Sequence, residues 1–215
     1  MANVLQNLDW SVLYGVIPAL VCITIHELAH GLTAYWLGDS TAKDMGRLTL
    51  NPIKHIDPFG LLAMVIFRFG WAKPVPVNIL NFKNPKRYMA ITALAGPVSN
   101  VILAVVVMFI YGLLLRPLGG NDNLAIEMIR RTAYLSIALA VFNMIPIPPL
   151  DGSKVLFSLI SDEYYFMLMR YERYGMILLI LFITTDFFSR TIGQTVSALV
   201  LKFSVIANVA FDLVN

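Results

Sequence analysis

The stretch CITIHELAHGL, residues 22–32, places two histidines and a glutamate inside a long apolar run. That run covers residues 10–37, and about 20 apolar residues are enough to cross the hydrocarbon core of a bilayer as a helix. One ionisable side chain at the centre of such a helix costs about 2.5–3.5 kcal/mol on insertion scales. Three of them on neighbouring turns therefore need a shared partner, and a divalent cation is the simplest one.

The composition of the whole chain is that of an integral membrane protein. Of its 215 residues, 58% are hydrophobic and 13% are charged, whereas about 25% of the residues in soluble domains are charged. The net charge of +3 comes mainly from lysines and arginines in loops between apolar runs, which indicates membrane topology and excludes a nucleic-acid partner. A single cysteine, Cys22, excludes an internal disulfide framework. We expect one domain over residues 1–215.

Four to five apolar runs predict transmembrane helices. The first lacks a basic n-region and a cleavage site, so we expect it to be retained as a span. The shorter patch 59–72 contains Arg68 and is expected to be re-entrant or interfacial. The segment 192–214 is expected to be a fifth span or a helix on the interface. The other predicted spans are residues 88–115, 132–147 and 174–188. The predicted fold class is thus an all-α polytopic membrane protein.

Two segments between the first two spans favour extended structure. RLTL, residues 47–50, alternates apolar and polar side chains and predicts a short strand. KPVPVN, residues 73–78, contains two prolines that exclude a helix and a central strand but allow an edge strand. Lysines and arginines are concentrated in residues 38–87, so the positive-inside rule puts this loop in the cytoplasm and the N-terminus outside. We therefore expect short membrane-associated strands on the cytoplasmic side.

The HELAH motif indicates a metal site. Residues four apart share a helix face, so His26 and His30 project together with Glu27 beside them. This is the HExxH pattern, in which both imidazoles bind zinc and the glutamate is the general base. If HELAH lay in a soluble surface helix, a chance match to this pattern would explain it as well as a zinc site would. At membrane depth, however, chance leaves the insertion cost of these side chains without compensation.

A catalytic zinc ion takes three protein ligands, so the motif is one ligand short. The remaining histidine, His55, lies in a basic loop, where we expect a loop role. Asp151, in IPIPPLDG, follows the third predicted span, and the predicted topology brings it to the same depth as His26 and His30. The alternative is that Asp151 is a turn residue or a helix N-cap.

Three segments in this order resemble the signature segments of the site-2 protease family of intramembrane zinc metalloproteases. They are HELAH, AGPVSN at residues 95–100 and NMIPIPPLDG at residues 143–152. The resemblance covers nearly the whole chain, including GRLTLNP and KPVPVN, and is greatest to small prokaryotic members. The apolar patch after DPFG is shorter than the family leads us to expect, and no PDZ or CBS module is recognisable.

The resemblance implies a role for each motif. One zinc ion per chain would be held by His26, His30 and Asp151, with Glu27 as the catalytic base. Asn143 falls where the family has an asparagine that helps to hold the substrate or the oxyanion. In AGPVSN we expect support for the site through close helix packing and a hydrogen bond between helices; the residues are Gly96, Pro97 and Asn100.

The implied function is that of a zinc-dependent endopeptidase, which hydrolyses peptide bonds within or near the transmembrane segments of membrane-anchored proteins or peptides. Its location would be a prokaryotic cytoplasmic membrane, with the active site towards the cytoplasm. The alternative is a non-catalytic zinc-binding membrane protein or a metal transporter. A transporter would line a polar path through the bilayer, and a degenerate protease would be expected to lose Glu27 or a ligand. The sequence shows neither feature.

Overall fold

The computed structural model describes residues 10–60, 62 and 70–214, and this part of the chain is dominated by helices. Short 3-10 turns occupy Pro52–His55 and Ile79–Asn81. The named α-helices are α1 (Trp10–Trp36), α2 (Thr41–Asp44), α3 (Pro85–Leu115), α4 (Leu124–Asn143), α5 (Asp151–Phe157), α6 (Asp162–Ile183) and α7 (Asp186–Asp212).

Helix α3 is the centre of the bundle, since α1, α4, α5 and α7 all contact it. Its contacts with α4 and α7 form two buried apolar clusters, in which several residues are small. The buried members are Ala104, Ile137 and Val196 in one cluster, and Met108, Ala133 and Ala207 in the other. Small residues let helix backbones approach closely, which is how helices associate within lipid.

Three helices of the described chain are long and apolar enough to cross a membrane: Tyr14–Trp36, Pro85–Leu115 and Asp186–Asp212. The expected count of four to five spans is not supported. The predicted run 174–188 is divided, because α6 ends at Ile183 and only its last part, Tyr174–Ile183, is apolar. The predicted run 192–214 belongs to α7, which is long enough to cross.

The predicted span 132–147 is displaced towards the N-terminus. Helix α4 begins at Leu124 because the Asn123 side chain accepts a hydrogen bond from the Ala125 N–H and caps it. Its first turns carry Glu127 bonded to two arginines, so the apolar part is shorter than a full span. The helix ends at Asn143, before the proline cluster that could not continue it.

The expected β-strands are absent from the described residues, where we find only one isolated antiparallel bridge, between Ile56 and Ala72. The prediction of a strand at residues 47–50 was therefore wrong. The Thr49 N–H bonds to the Arg47 carbonyl and turns the chain locally, while the Arg47 guanidinium is buried against the Lys73 carbonyl. The prolines of residues 73–78 have no N–H to extend a ladder. Most of the expected re-entrant patch 59–72 lies outside the described residues.

Replacing Gly112 with alanine should destabilise the bundle. A Cβ at this position would lie less than 3.0 Å from the Ala207 carbonyl of α7, whereas a Cβ at Gly15 in α1 would meet nothing within 4 Å. Overpacking of this kind costs about 1–3 kcal/mol. Thermal unfolding of the purified protein in detergent should show a loss for Gly112→Ala and none for the control Gly15→Ala. Equal unfolding midpoints for the two variants would contradict the close packing of α3 on α7.

Candidate metal centre

Three side chains meet at one point between α1 and α5. The Nε2 atoms of His26 and His30 are 3.0 Å apart, and each lies 3.2 Å from Oδ2 of Asp151. The side chains of His26, His30 and Asp151 are 7%, 12% and 10% exposed. The structure thus brings Asp151 into contact with both histidines of HELAH. From the sequence, these residues could be related only through the predicted membrane topology.

Asp151 reaches this point because α5 starts directly against the end of α4. A Cβ at Gly152 would lie less than 3.0 Å from the Met144 carbonyl, so this approach requires glycine. The N-cap position of α5 is Leu150, and Asp151 is the first helical residue. Its carboxylate faces the histidines, which differs from the alternative in which it caps a helix.

The hydrogen bonds around His30 decide where its proton lies. Nδ1 of His30 is 2.7 Å from the carbonyl oxygen of Thr92, which can only accept, so this nitrogen carries the proton. In a neutral imidazole the lone pair is then on Nε2, and it is aimed at Oδ2 of Asp151. Two acceptors 3.2 Å apart repel each other unless a proton or a cation lies between them.

The donor set of this site fits a zinc ion. Two imidazole nitrogens and one carboxylate oxygen are common zinc ligands, and around a tetrahedral ion at about 2.0–2.2 Å the ligand atoms lie about 3.3 Å apart. The observed separations of 3.0–3.2 Å are close to this value. Oδ2 of Asp151 is also buried with no conventional hydrogen bond in the described part of the chain, and a cation would satisfy it.

Helix α3 covers the site with residues spaced by four. The Thr92 carbonyl contacts His30, and the Asn100 amide lies 3.1 Å from Nδ1 of His26. Gly96 lies between them, and a Cβ there would come within 3.0 Å of both imidazole rings.

Pro97 is buried in α3 beside Gly96. The sequence pattern indicated Gly96 and Asn100 but not Thr92, whose backbone carbonyl contacts His30. The spacing of 92, 96 and 100 along one helix face was the available signal.

Glu27 is held by the main chain of residues 73–78, which we call the strap. Oε2 of Glu27 accepts a hydrogen bond from the Val75 N–H at 2.7 Å. Pro74 and Pro76, on either side, have no N–H, so the sequence PVP leaves Val75 as the only amide donor of that tripeptide. This contact was also missed, because it joins segments far apart in the sequence.

The strap is fixed near both ends by buried side chains. The Lys73 carbonyl accepts from the Arg47 guanidinium at 2.8 Å, and the Asn78 N–H donates to Oδ2 of Asp39 at 2.7 Å. Asp39 also accepts from the Thr41 N–H and the Asn81 amide. Burial by itself would raise the pKa of Asp39, but these hydrogen bonds outweigh it and hold the pKa below the ordinary value of 3.8.

In the described part of the chain, the two remaining candidate residues have hydrogen bonds to groups other than His26, His30 and Asp151. Asn143 is the last residue of α4, and its amide donates to the Leu139 carbonyl of the same helix at 3.0 Å. His55 is buried in the loop, with Nε2 2.9 Å from the Thr49 carbonyl.

Comparisons with known proteins find one matching family and several similar sequences. The sequence model of peptidase family M50 matches residues 121–184. The chain is 43% identical over 178 residues to "Putative zinc metalloprotease YwhC" of Bacillus subtilis (strain 168), covering 80% of each protein. It is 28% identical over 175 residues to "Putative zinc metalloprotease Rip2" of Mycolicibacterium smegmatis, covering 80% of this chain and 66% of that protein. It is 30% identical over 117 residues to "Zinc metalloprotease RasP" of Bacillus licheniformis, covering 50% of this chain and 28% of that protein. No solved structure matches the chain significantly.

Replacing Gly96 with alanine should weaken zinc binding. The added methyl group would push both imidazoles away from Asp151, and disturbing the groups around a metal's ligands typically reduces affinity by about 10–100-fold. Gly193→Ala in α7 is the control, since a Cβ there meets nothing within 4 Å. Zinc affinity measured by chelator competition should fall only for Gly96→Ala. Wild-type affinity in that variant would show that the site lies elsewhere.

Replacing Asp39 with asparagine should loosen the strap. The variant would present an amide donor to one of the N–H groups that Asp39 now accepts from, a loss of about 1–3 kcal/mol for a buried hydrogen-bonded group. Because the pKa of Asp39 is lowered by folding, its contribution is complete above pH 3.8 and is lost as the pH falls through the lower folded value. The difference in unfolding midpoint between wild type and Asp39→Asn should therefore be largest near neutral pH and shrink in acid. A difference that stayed constant with pH would show that the negative charge of Asp39 does not contribute to the stability of the strap.

Proposed function

We propose that this chain, which belongs to peptidase family M50, the site-2 protease family, cleaves membrane-anchored proteins or peptides within or near their transmembrane segments. The chain is an integral membrane protein and a metalloprotease, and its cofactor is zinc. The observation that supports the proposal is the contact of Asp151 with His26 and His30, which lie inside α1, a helix long and apolar enough to cross a membrane.

The three ligands in this proposal are Nε2 of His26, Nε2 of His30 and Oδ2 of Asp151. When bound there, zinc supplies a Lewis acid that polarises the scissile carbonyl and acidifies the attacking water. The α3 face supports this role from the other side, since it holds Nδ1 of both rings and leaves both Nε2 atoms directed at Asp151.

Glu27 is the proposed general base. Its Oε2 accepts from the Val75 N–H, so the other oxygen, Oε1, is the one that takes the proton from the attacking water. The same carboxyl group then delivers this proton to the leaving amine. Water is the nucleophile, so no acyl-enzyme forms.

Asn143 is proposed to help hold the substrate or the oxyanion. It ends α4, shortly before the loop that carries Asp151. Its amide now donates to the Leu139 carbonyl, so a side-chain rotation would have to redirect it towards the substrate. A hydrogen bond of this type contributes on the order of 3 kcal/mol to transition-state stabilisation.

The proposed location is a prokaryotic cytoplasmic membrane, with the N-terminus outside and the active site towards the cytoplasm. In addition to the three apolar helices, we propose that α4 lies within the bilayer, since it packs against α1, α3 and α7. With α1 running inward, α3 outward and α4 inward, Asp151 follows the inner end of α4. The basic loop over residues 38–87 then lies on the same side, in agreement with the positive-inside rule.

Peptide hydrolysis requires an extended substrate, because helical carbonyls are engaged in their own hydrogen bonds. A transmembrane substrate must therefore unwind near Glu27. The strap forms no helix and adjoins Glu27 through Val75, so we propose that it pairs with the unwound segment by main-chain hydrogen bonds. The segment 47–50 is not included in this proposal, because the hydrogen bond from the Thr49 N–H to the Arg47 carbonyl turns its chain.

Glu27→Gln and Asp151→Ala should separate the base from the ligands. Glu27→Gln should keep zinc and reduce cleavage of a membrane-anchored reporter by at least about 10²-fold, because proton transfer contributes 10²–10⁴. Asp151→Ala should lose zinc and cleavage together. The control is Glu163→Gln, which changes an exposed carboxylate at the start of α6.

Zinc content and reporter cleavage would be measured on the same detergent-purified samples. Normal turnover by Glu27→Gln would show that Glu27 is not the general base. Full zinc content in Asp151→Ala would show that Asp151 is not a zinc ligand. Zinc binding by a wild-type protein that cleaves no membrane-anchored reporter would favour the non-catalytic alternative.

A further inference from the structure

We propose that Asn100 is a positioning residue for the metal site: its amide oxygen accepts the Nδ1 proton of His26 and holds that imidazole with Nε2 towards Asp151. This inference rests on the proposed metal centre and concerns a side chain that makes no contact with substrate or zinc.

The position of Asn100 makes it the natural partner of His26. Asn100 is fully buried in α3, and its amide nitrogen lies 3.1 Å from Nδ1 of His26. On the opposite side of the same ring, Nε2 lies 3.2 Å from Oδ2 of Asp151. The imidazole therefore has one nitrogen in the metal site and the other against Asn100.

The single N–H of a neutral His26 imidazole determines which end of the Asn100 amide should face it, and this is the amide oxygen. A neutral imidazole has one N–H, and when Nε2 binds a metal that hydrogen is on Nδ1, which then needs an acceptor. An amide nitrogen cannot accept, but the two ends of an amide have nearly the same shape. Reversing the amide of Asn100 places Oδ1 on the Nδ1–H of His26 within the same space.

A second observation supports this reversal. In the orientation with nitrogen towards His26, Oδ1 of Asn100 is buried and has no hydrogen-bond partner in the described part of the chain. A buried acceptor without a partner costs about 1–3 kcal/mol. The reversed amide gives Oδ1 a donor and gives His26 an acceptor at once.

The backbone at Asn100 is itself anchored. The Ser136 hydroxyl of α4 donates to the Asn100 carbonyl at 2.8 Å, and both residues are fully buried. The contact between α3 and α4 at this position is therefore made by the Asn100 backbone, and the side-chain amide is left for His26.

The two histidines differ in the kind of acceptor they use. The partner of His30 is the carbonyl of Thr92, which no side-chain substitution removes. The partner of His26 is a side chain, so the identity of residue 100 controls one metal ligand. An asparagine serving only to join helices would instead affect folding and leave zinc affinity unchanged.

The test compares Asn100→Asp, which keeps an acceptor, with Asn100→Leu, which has similar size and no acceptor. Ser136→Ala is the control, since it removes the anchor to the Asn100 backbone and leaves the amide in place. Zinc affinity of the full chain in detergent would be measured by competition with a chromophoric chelator. The ligand geometry would be read from the visible absorption of the Co²⁺-substituted protein, and folding from circular dichroism.

Asn100→Leu should bind zinc about 10–100-fold more weakly than wild type and show an altered Co²⁺ spectrum. Asn100→Asp should remain close to wild type in both measurements, because rescue by an acceptor is specific to the hydrogen bond. Ser136→Ala should stay close to wild-type affinity.

Two results would overturn the inference: wild-type zinc affinity and Co²⁺ spectrum in a folded Asn100→Leu, or equal losses in folded Asn100→Asp and Asn100→Leu. A wild-type protein that bound no zinc would overturn the metal centre and this inference together. Zinc binding with the expected loss in Asn100→Leu, but without cleavage by wild type, would overturn the protease function alone.

Discussion

Nε2 of His26, Nε2 of His30 and Oδ2 of Asp151 lie within 3.2 Å of one another, and the surrounding helices are arranged around this contact. Nε2 of His30 has a lone pair because the Thr92 carbonyl takes its only proton, and Oδ2 of Asp151 is an acceptor as well. Such a cluster is unfavourable in water and more so at membrane depth, where the effective dielectric is low. A zinc ion held by the three proposed ligands would replace this repulsion by attraction, which would explain why the chain buries these groups together.

Helix α3 has two functions that depend on the same close packing. One face, through Thr92, Gly96 and Asn100, holds the histidines and leaves room for an ion between them. Farther along, Gly112 lets α7 approach the α3 backbone. The helix that packs against most of the others therefore also orients His26 and His30. A shift in its packing would change the positions of both imidazoles.

The strap connects the loop between α1 and α3 to Glu27, the proposed base. Its Val75 N–H bonds to Glu27, while Arg47 and Asp39 hold it near its ends. Both anchors are buried, and Asp39 accepts hydrogen bonds from Thr41, Asn78 and Asn81. A buried network of this kind defines one arrangement, because each alternative leaves a donor or acceptor unsatisfied. An irregular segment can thus hold a main-chain amide as reproducibly as a strand would.

Features that depend on neighbouring residues could be predicted from the amino-acid sequence alone. Composition indicates a membrane protein, and the four-residue spacing of His26 and His30 places both on one helix face. The helical class was predicted correctly, whereas the span count and the strand at residues 47–50 were not. Glu127 and its arginines shorten the apolar part of α4, and Arg47 is buried against the strap instead of facing a neighbouring strand. The contacts of His30, His26 and Glu27 could not be predicted in this way. Their partners, the Thr92 carbonyl, the Asn100 amide and the Val75 N–H, are brought to them by the tertiary structure. Local periodicity fixes which way a side chain points from its own helix, but distances between segments far apart in the chain follow from how the helices pack.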